Sequence, residues 1–127
     1  MSDRRKHRLI ECNPSWVSAN GVDCAIRFDC PEGHTECIHV IPFTPALDGA
    51  TVAPESWYGR NGAVWQREGS TFESITLSPS ILRRQQYPSR EAAIADGCIP
   101  EHVTESMTCG LHIFIQNGAI TFCGDSK

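Results

Sequence analysis

From Val22 to Asp29 apolar and polar positions alternate. Cys24, Ile26 and Phe28 share one face and Asp23, Arg27 and Asp29 fall on the other, the period-two pattern of a half-buried strand. Cys30 continues the buried phase. After the break Pro31-Glu32-Gly33-His34-Thr35-Glu36, the run Cys37-Ile38-His39-Val40-Ile41-Pro42-Phe43 is rich in β-branched and aromatic residues and predicts a second strand. The two runs form a hairpin with Cys30 and Cys37 at the stems of its loop. Shorter strands are expected from Ala63 to Arg67 and from Thr71 to Leu77, joined through Glu68-Gly69-Ser70, with Ser78-Pro79 ending the second. Leu111 to Gln116 and Ala119 to Cys123 flank Asn117-Gly118, a pair suited to the positive φ that both central residues of a type I′ turn require.

One segment has helical chemistry. Ser89 offers an N-cap, Arg90-Glu91-Ala92-Ala93-Ile94-Ala95-Asp96 are largely helix formers, and Gly97 can close the end. Asn13-Pro14-Ser15-Trp16-Val17 predicts a turn leading into an anchoring aromatic, and Asn20-Gly21 a further turn. Thr44 to Gly62 carries few periodic apolar positions and predicts a long surface loop, with Trp57 and Tyr58 folding back on the core. The expected architecture is mainly β: a compact single domain of short antiparallel strands and hairpins with one short helix. Its boundaries are a flexible basic tail over residues 1–12 and the domain over residues 13–127.

Composition narrows the function classes. The 127 residues are 40% apolar and 20% charged, as in a globular chain able to bury a core. A net charge of −4 argues against a nucleic-acid face, since counterion release from phosphates requires a basic surface. Arg4-Arg5-Lys6-His7-Arg8 is the one basic run and is expected to be solvated. No stretch approaches the ~20 apolar residues that span a bilayer, and no apolar export segment follows the basic start. A cytoplasmic protein with no membrane partner is expected. Seven cysteines, an odd number, and five histidines in such a chain point to reduced thiols, some of them metal ligands.

Two clusters could supply a tetrahedral zinc site: Cys30, His34, Cys37 and His39 in the first, Cys109 and His112 in a Cys-x2-His arrangement in the second. The leading quartet is Cys30, Cys37, Cys109 and His112, with His34 or His39 as replacements within the first cluster. Cys12, Cys24, Cys98 and Cys123 lack a companion at ligand spacing and are expected to be small buried hydrophobes, Cys123 being the exception to watch because its strand pairs with the one bearing His112. Ser78-Pro79-Ser80 lacks the flanking glycines of a nucleophile elbow, and Glu101-His102 lacks the second histidine of a metalloprotease helix.

The order Asn13-Pro14-Ser15-Trp16, Phe28-Asp29-Cys30-Pro31, Ile41-Pro42-Phe43, Ala46-Leu47-Asp48-Gly49, Trp65, Thr71 to Ile81 with its Leu77-Ser78-Pro79-Ser80-Ile81 core, and Cys109 to Gly118 is similar to a family of small phage and prophage proteins of unknown function, often mislabelled ammonia monooxygenase. The resemblance implies a compact metal-binding β fold with Cys30, Cys109 and His112 among the ligands and no known reaction. The function expected on this basis is a phage- or prophage-type zinc-binding accessory module that contacts a host or phage protein, an inhibitor of a host or defence protein being a special case of it, with an enzyme the less favoured reading. The alternative is a small zinc-dependent hydrolase with an open metal position and Glu32, Glu36 or Glu73 as base.

Overall fold

The computed structural model describes residues 5–34, 37–49, 64–84, 90–95, 97, 99–102 and 109–126, with residues 83, 84, 93 and 102 described by their backbone alone. Seven strands lie in one sheet in chain order: β1 (Ser15–Ala19), β2 (Val22–Asp29), β3 (Ile38–Thr44), β4 (Trp65–Glu68), β5 (Thr76–Arg84), β6 (Gly110–Gln116) and β7 (Ala119–Phe122). The mainly β expectation holds. The expected hairpins of β2 with β3 and of β6 with β7 are antiparallel pairs. In the second, Asn117 and Gly118 take positive φ values of 48° and 73°, as the turn requires.

Three departures have local causes. β3 and β4 pair in parallel, through Phe43 with Trp65 and Thr44 with Gln66; a tight turn cannot join parallel neighbours, and the long connection after Thr44 gives the chain room to cross. β1 forms where only a turn and an anchor were expected, because its partial burial leaves no clean alternation to detect. Asn20-Gly21 then joins it to β2. β5 begins later and runs further than expected: Thr71 to Ser74 form a turn closed by the Ile75 N–H on the Thr71 carbonyl at 2.9 Å, and the strand continues past Pro79. It can do so because Leu77 pairs with Ile115 and Ile81 with Ile113, so that the intervening residues bulge out of the ladder with β6 and Pro79 need donate nothing to it.

Ile26 and Phe28 of β2, Ile41 and Phe43 of β3, Leu77 and Ile81 of β5 and Leu111, Ile113 and Ile115 of β6 belong to one buried cluster. In a flat sheet β3 and β6 would stand three spacings apart, about 14 Å. The sheet must therefore curl until its inner faces meet. Residues 6–9 stitch across the opening: the Lys6 N–H reaches the Pro31 carbonyl, the Leu9 N–H the Gly118 carbonyl and the Ile120 N–H the His7 carbonyl, each at 2.8 Å. Leu9 and Cys12 are buried within a 3₁₀ turn, Leu9–Cys12. The expected loose tail is thus corrected for residues 5–12, because an apolar Leu9 follows the basic run and gives it something to bury.

The helix α1 (Arg90–Ala95) is found where its chemistry placed it, with Gly97 at φ +104° returning its N–H to the Ile94 carbonyl at 3.0 Å. Trp57 and Tyr58 lie outside the described residues, as do Cys98 and Ser89. No helix among the described residues is long and apolar enough to cross a membrane.

A Cβ added at Gly118 would stand 2.6 Å from the Phe72 carbonyl oxygen and 2.8 Å from Glu73 backbone atoms, whereas one at Gly21 would meet nothing within 4 Å. Both glycines have positive φ. Gly21→Ala should therefore cost only the left-handed penalty, about 1 kcal/mol, and Gly118→Ala at least ~2 kcal/mol more, since backbone must move. Urea denaturation of the two variants measures the difference.

Candidate active site and metal centre

The inner face of the curled sheet ends in sulfur. Cys30 follows β2 in the phase of Ile26 and Phe28, Cys37 and His39 share the phase of Ile41 and Phe43, and Cys109 precedes β6 in the phase of Leu111 and Ile113. All four are buried, and their ligand atoms lie within 4.8 Å of one another. Cys30 Sγ is 3.7 Å from Cys109 Sγ, Cys37 Sγ is 3.4 Å from His39 Nε2, and Cys109 Sγ is 3.6 Å from His39 Nε2. A tetrahedral ion with metal–sulfur bonds of about 2.3 Å and metal–nitrogen bonds of about 2.0–2.1 Å sets its ligands roughly 3.8 Å apart for two sulfurs and 3.6 Å for sulfur and nitrogen. These three separations match what such an ion imposes, and no pair of the four donors is further apart than 4.8 Å.

Without an ion the thiols compete for protons. Hydrogen bonds from the Cys109 and Cys37 thiols hold Cys30 well below its ordinary value. That leaves Cys109 as the donor to a thiolate, pushed up to about 12 chiefly by its bond to Cys30. Cys37 is also raised, first by its hydrogen bond with Cys109 and then by that with Cys30. The three thiols thus pull one another's protonation in opposite directions; a divalent cation would let all three ionise.

Of the residues expected to bind metal, Cys30, Cys37 and Cys109 come together and His39 completes the group. His34 Nδ1 touches Cys30 Sγ at 3.5 Å but lies outside the mutually close set. His112 is elsewhere, for a reason of strand geometry. Side chains alternate faces along a strand, so the three-residue step from Cys109 to His112 turns the imidazole to the outer face. The two-residue step from Cys37 to His39 keeps both inside.

On the outer face His112 has two partners. Its Nδ1 lies 2.6 Å from Asp125 Oδ1 and its Nε2 lies 3.1 Å from Ser80 Oγ. A carboxylate only accepts, so Nδ1 donates to Asp125 and Nε2 presents its lone pair to the serine hydroxyl. Serine, histidine and aspartate in this relay are the nucleophile, base and orienting acid of acyl-transfer enzymes, a constellation recognised by geometry rather than by chain order. Ser80 sits in the bulge of β5, where its carbonyl accepts the Trp65 indole N–H at 3.1 Å. Asp125 lies in the turn after β7, and the Cys123 N–H on the His112 carbonyl at 2.9 Å ties the start of that turn to β6.

Ser80 and Asp125 were not among the expected site residues. No local motif marks them: Ser80 has no glycine elbow, and Asp125 is one acid among fifteen acidic residues. The one available signal was the bulge that Pro79 forces on a strand otherwise continuous through Ile81, since bulges redirect side chains next to active sites.

The family model described as a bacterial ubiquitination-like system serine protease, BubE, matches residues 2–123. No curated protein and no solved structure matches the chain. The family overturns the expected function, a phage-type protein-binding zinc module or inhibitor, because its description is that of a protease; of the two readings from sequence, the hydrolase is the nearer. Of the resemblance drawn from sequence, the clustered cysteines are found and no phage or prophage family is matched: the chain belongs to the family of bacterial ubiquitination-like system serine proteases.

Proposed function

We propose that this chain is a serine hydrolase in which Ser80 is the nucleophile, His112 the general base and Asp125 the acid that orients it, and that its substrate is a peptide or isopeptide bond of the protein modifier in a ubiquitination-like system. The observation that carries the reading is the Ser80–His112–Asp125 relay on one sheet face, in a chain whose family is described as a serine protease. Ser80 Oγ attacks the scissile carbonyl carbon as its proton passes to His112 Nε2. The imidazolium then gives that proton to the leaving nitrogen as the C–N bond breaks, and a water deprotonated by the same nitrogen releases the acyl group from Ser80. Leu82 and Phe114 stand exposed on the same outward face, Leu82 paired directly with His112. They offer apolar surface to a substrate chain beside the nucleophile.

We further infer that the inner cluster holds zinc as a structural ion. Three thiolates and one imidazole are a donor set zinc favours, and four buried protein ligands leave no position for the water that a catalytic zinc needs. This argues against the zinc-hydrolase alternative and leaves the chemistry to Ser80.

Ser80→Ala should abolish labelling by a fluorophosphonate probe and lower hydrolysis of a modifier-fusion substrate by about 10⁴-fold or more. Asp125→Asn should lower it by about 10³–10⁴-fold. Full turnover by Ser80→Ala would remove the nucleophile assignment. The metal is tested separately by elemental analysis: His112→Ala should retain the wild-type zinc content, and Cys109→Ser should lose zinc and melt at a much lower temperature. Since zinc must displace thiol protons, its affinity should fall as pH falls, which a chromophoric chelator competition can follow.

A further inference from the structure

The aspartate of the relay stands at the surface. Its side chain is 55% exposed, and it lies in a turn near the end of the chain. Its neighbour Ser126, by contrast, is buried. Ser126 Oγ accepts the backbone N–H of His112 at 3.0 Å and donates to Glu32 Oε2 at 2.5 Å. The residue next to Asp125 is therefore bonded to the backbone of the very histidine that Asp125 orients.

Glu32 is 3% exposed, and a carboxylate so buried requires partners for its charge. Besides Ser126 it has Arg5, whose Nε donates to Oε1 at 2.9 Å and whose Nη2 donates to the Ser126 carbonyl at 3.2 Å. The Arg5 guanidinium also lies 4.5 Å from the centre of the Phe122 ring, at the end of β7. Glu32 itself stands two residues beyond Cys30, in the turn closed by the Gly33 N–H on the Cys30 carbonyl at 2.9 Å. One carboxylate thus links the metal-bearing loop to the turn that carries the relay's acid. Because Glu32 accepts the hydrogen bond of the Ser126 hydroxyl, it also fixes that hydroxyl so that its lone pair meets the His112 N–H.

We propose that Glu32 and Ser126 are positioning residues for the relay, through which the metal loop sets the placement of Asp125 against His112. The proposal rests on the serine-hydrolase reading and assigns the inner cluster a bearing on catalysis without a part in the chemistry. A misplacement of Asp125 by about 1 Å is enough to cost on the order of 10²-fold in rate.

The test is the rate constant of fluorophosphonate labelling at Ser80 in the metal-loaded full chain, with the labelled fraction, the metal content and the downfield proton resonance of His112 Nδ1–H recorded alongside. Ser126→Ala and Glu32→Gln should each slow labelling by about 10–100-fold and broaden or shift the downfield proton, with metal content unchanged. Ser126→Thr, which keeps the hydroxyl, should restore both. Removing the metal from the wild type by chelation should slow labelling to a similar degree. If Glu32→Gln does not fold, Ser126→Ala decides, since it leaves the Arg5–Glu32 ion pair in place. A lower labelled fraction with an unchanged rate constant would show loss of fold alone and overturn the proposal, as would wild-type labelling by both variants. Labelling that persists in Ser80→Ala would instead overturn the hydrolase reading beneath it.

Discussion

Four ligand atoms from the end of β2, the start of β3 and the start of β6 meet inside 4.8 Å, and much of the fold is tied to that meeting. In the sheet order β3 and β6 have two strands between them, so the donors can meet only if the sheet curls and shuts its inner face. The apolar side chains in the same phase, from Phe28 to Ile113, are carried into one cluster by the same curl. Hydrophobic burial favours the closure, but sulfur and nitrogen at tetrahedral spacing give it a definite end point. The apparent binding free energy of a structural zinc, about 10–16 kcal/mol, is comparable with the ~5–15 kcal/mol of a domain's whole stability. For a chain of 127 residues, such an ion can decide whether the sheet stays closed.

The period of the strand then separates stability from chemistry. Along β6 the odd positions from Cys109 through Ile115 face the core, and the even ones, His112 and Phe114 among them, face outward. One short stretch of chain thus turns a cluster cysteine to the interior and an imidazole to the surface. β5 does the same by a different device, with Leu77 and Ile81 inside and the bulge between them lifting Ser80 beside His112. The outer chemistry can be placed only as well as these strands are held: β6 starts beside Cys109 of the inner cluster, and β5 is paired to β6.

How much of this was legible follows from the range of each signal. The alternation in β2, the Asn117-Gly118 turn and the Gly97 closure of α1 are set by neighbours in the chain, and the sequence shows them. Cys30, Cys37 and Cys109 were legible as ligand types, and His39 as an inward neighbour of Cys37. His112 was legible as functional and was assigned to the wrong face, because Cys-x2-His suggests a zinc knuckle when read as spacing and excludes a shared ion when read as strand. The parallel pairing of β3 with β4 depends on a crossover, and the meeting of Ser80 with Asp125 on a curl and a bulge. Neither is a local property, and neither leaves a spacing to read.

The exposed acid constrains what the relay can act on. A contact in water between groups as accessible as Asp125 and His112 is worth little, about 0–1 kcal/mol even when the imidazole is charged, whereas the same contact shielded from water is several times stronger. The relay geometry is already formed, with both hydrogen bonds in place; what the free surface lacks is a low dielectric. A small substrate would leave Asp125 wet. A folded protein laid across Leu82, His112 and Phe114 would exclude water from the outer face and strengthen the hold of Asp125 on the imidazole at the moment that charge develops on it. An open relay on the outer face of the curled sheet is therefore better matched to a protein-sized substrate than to a small one.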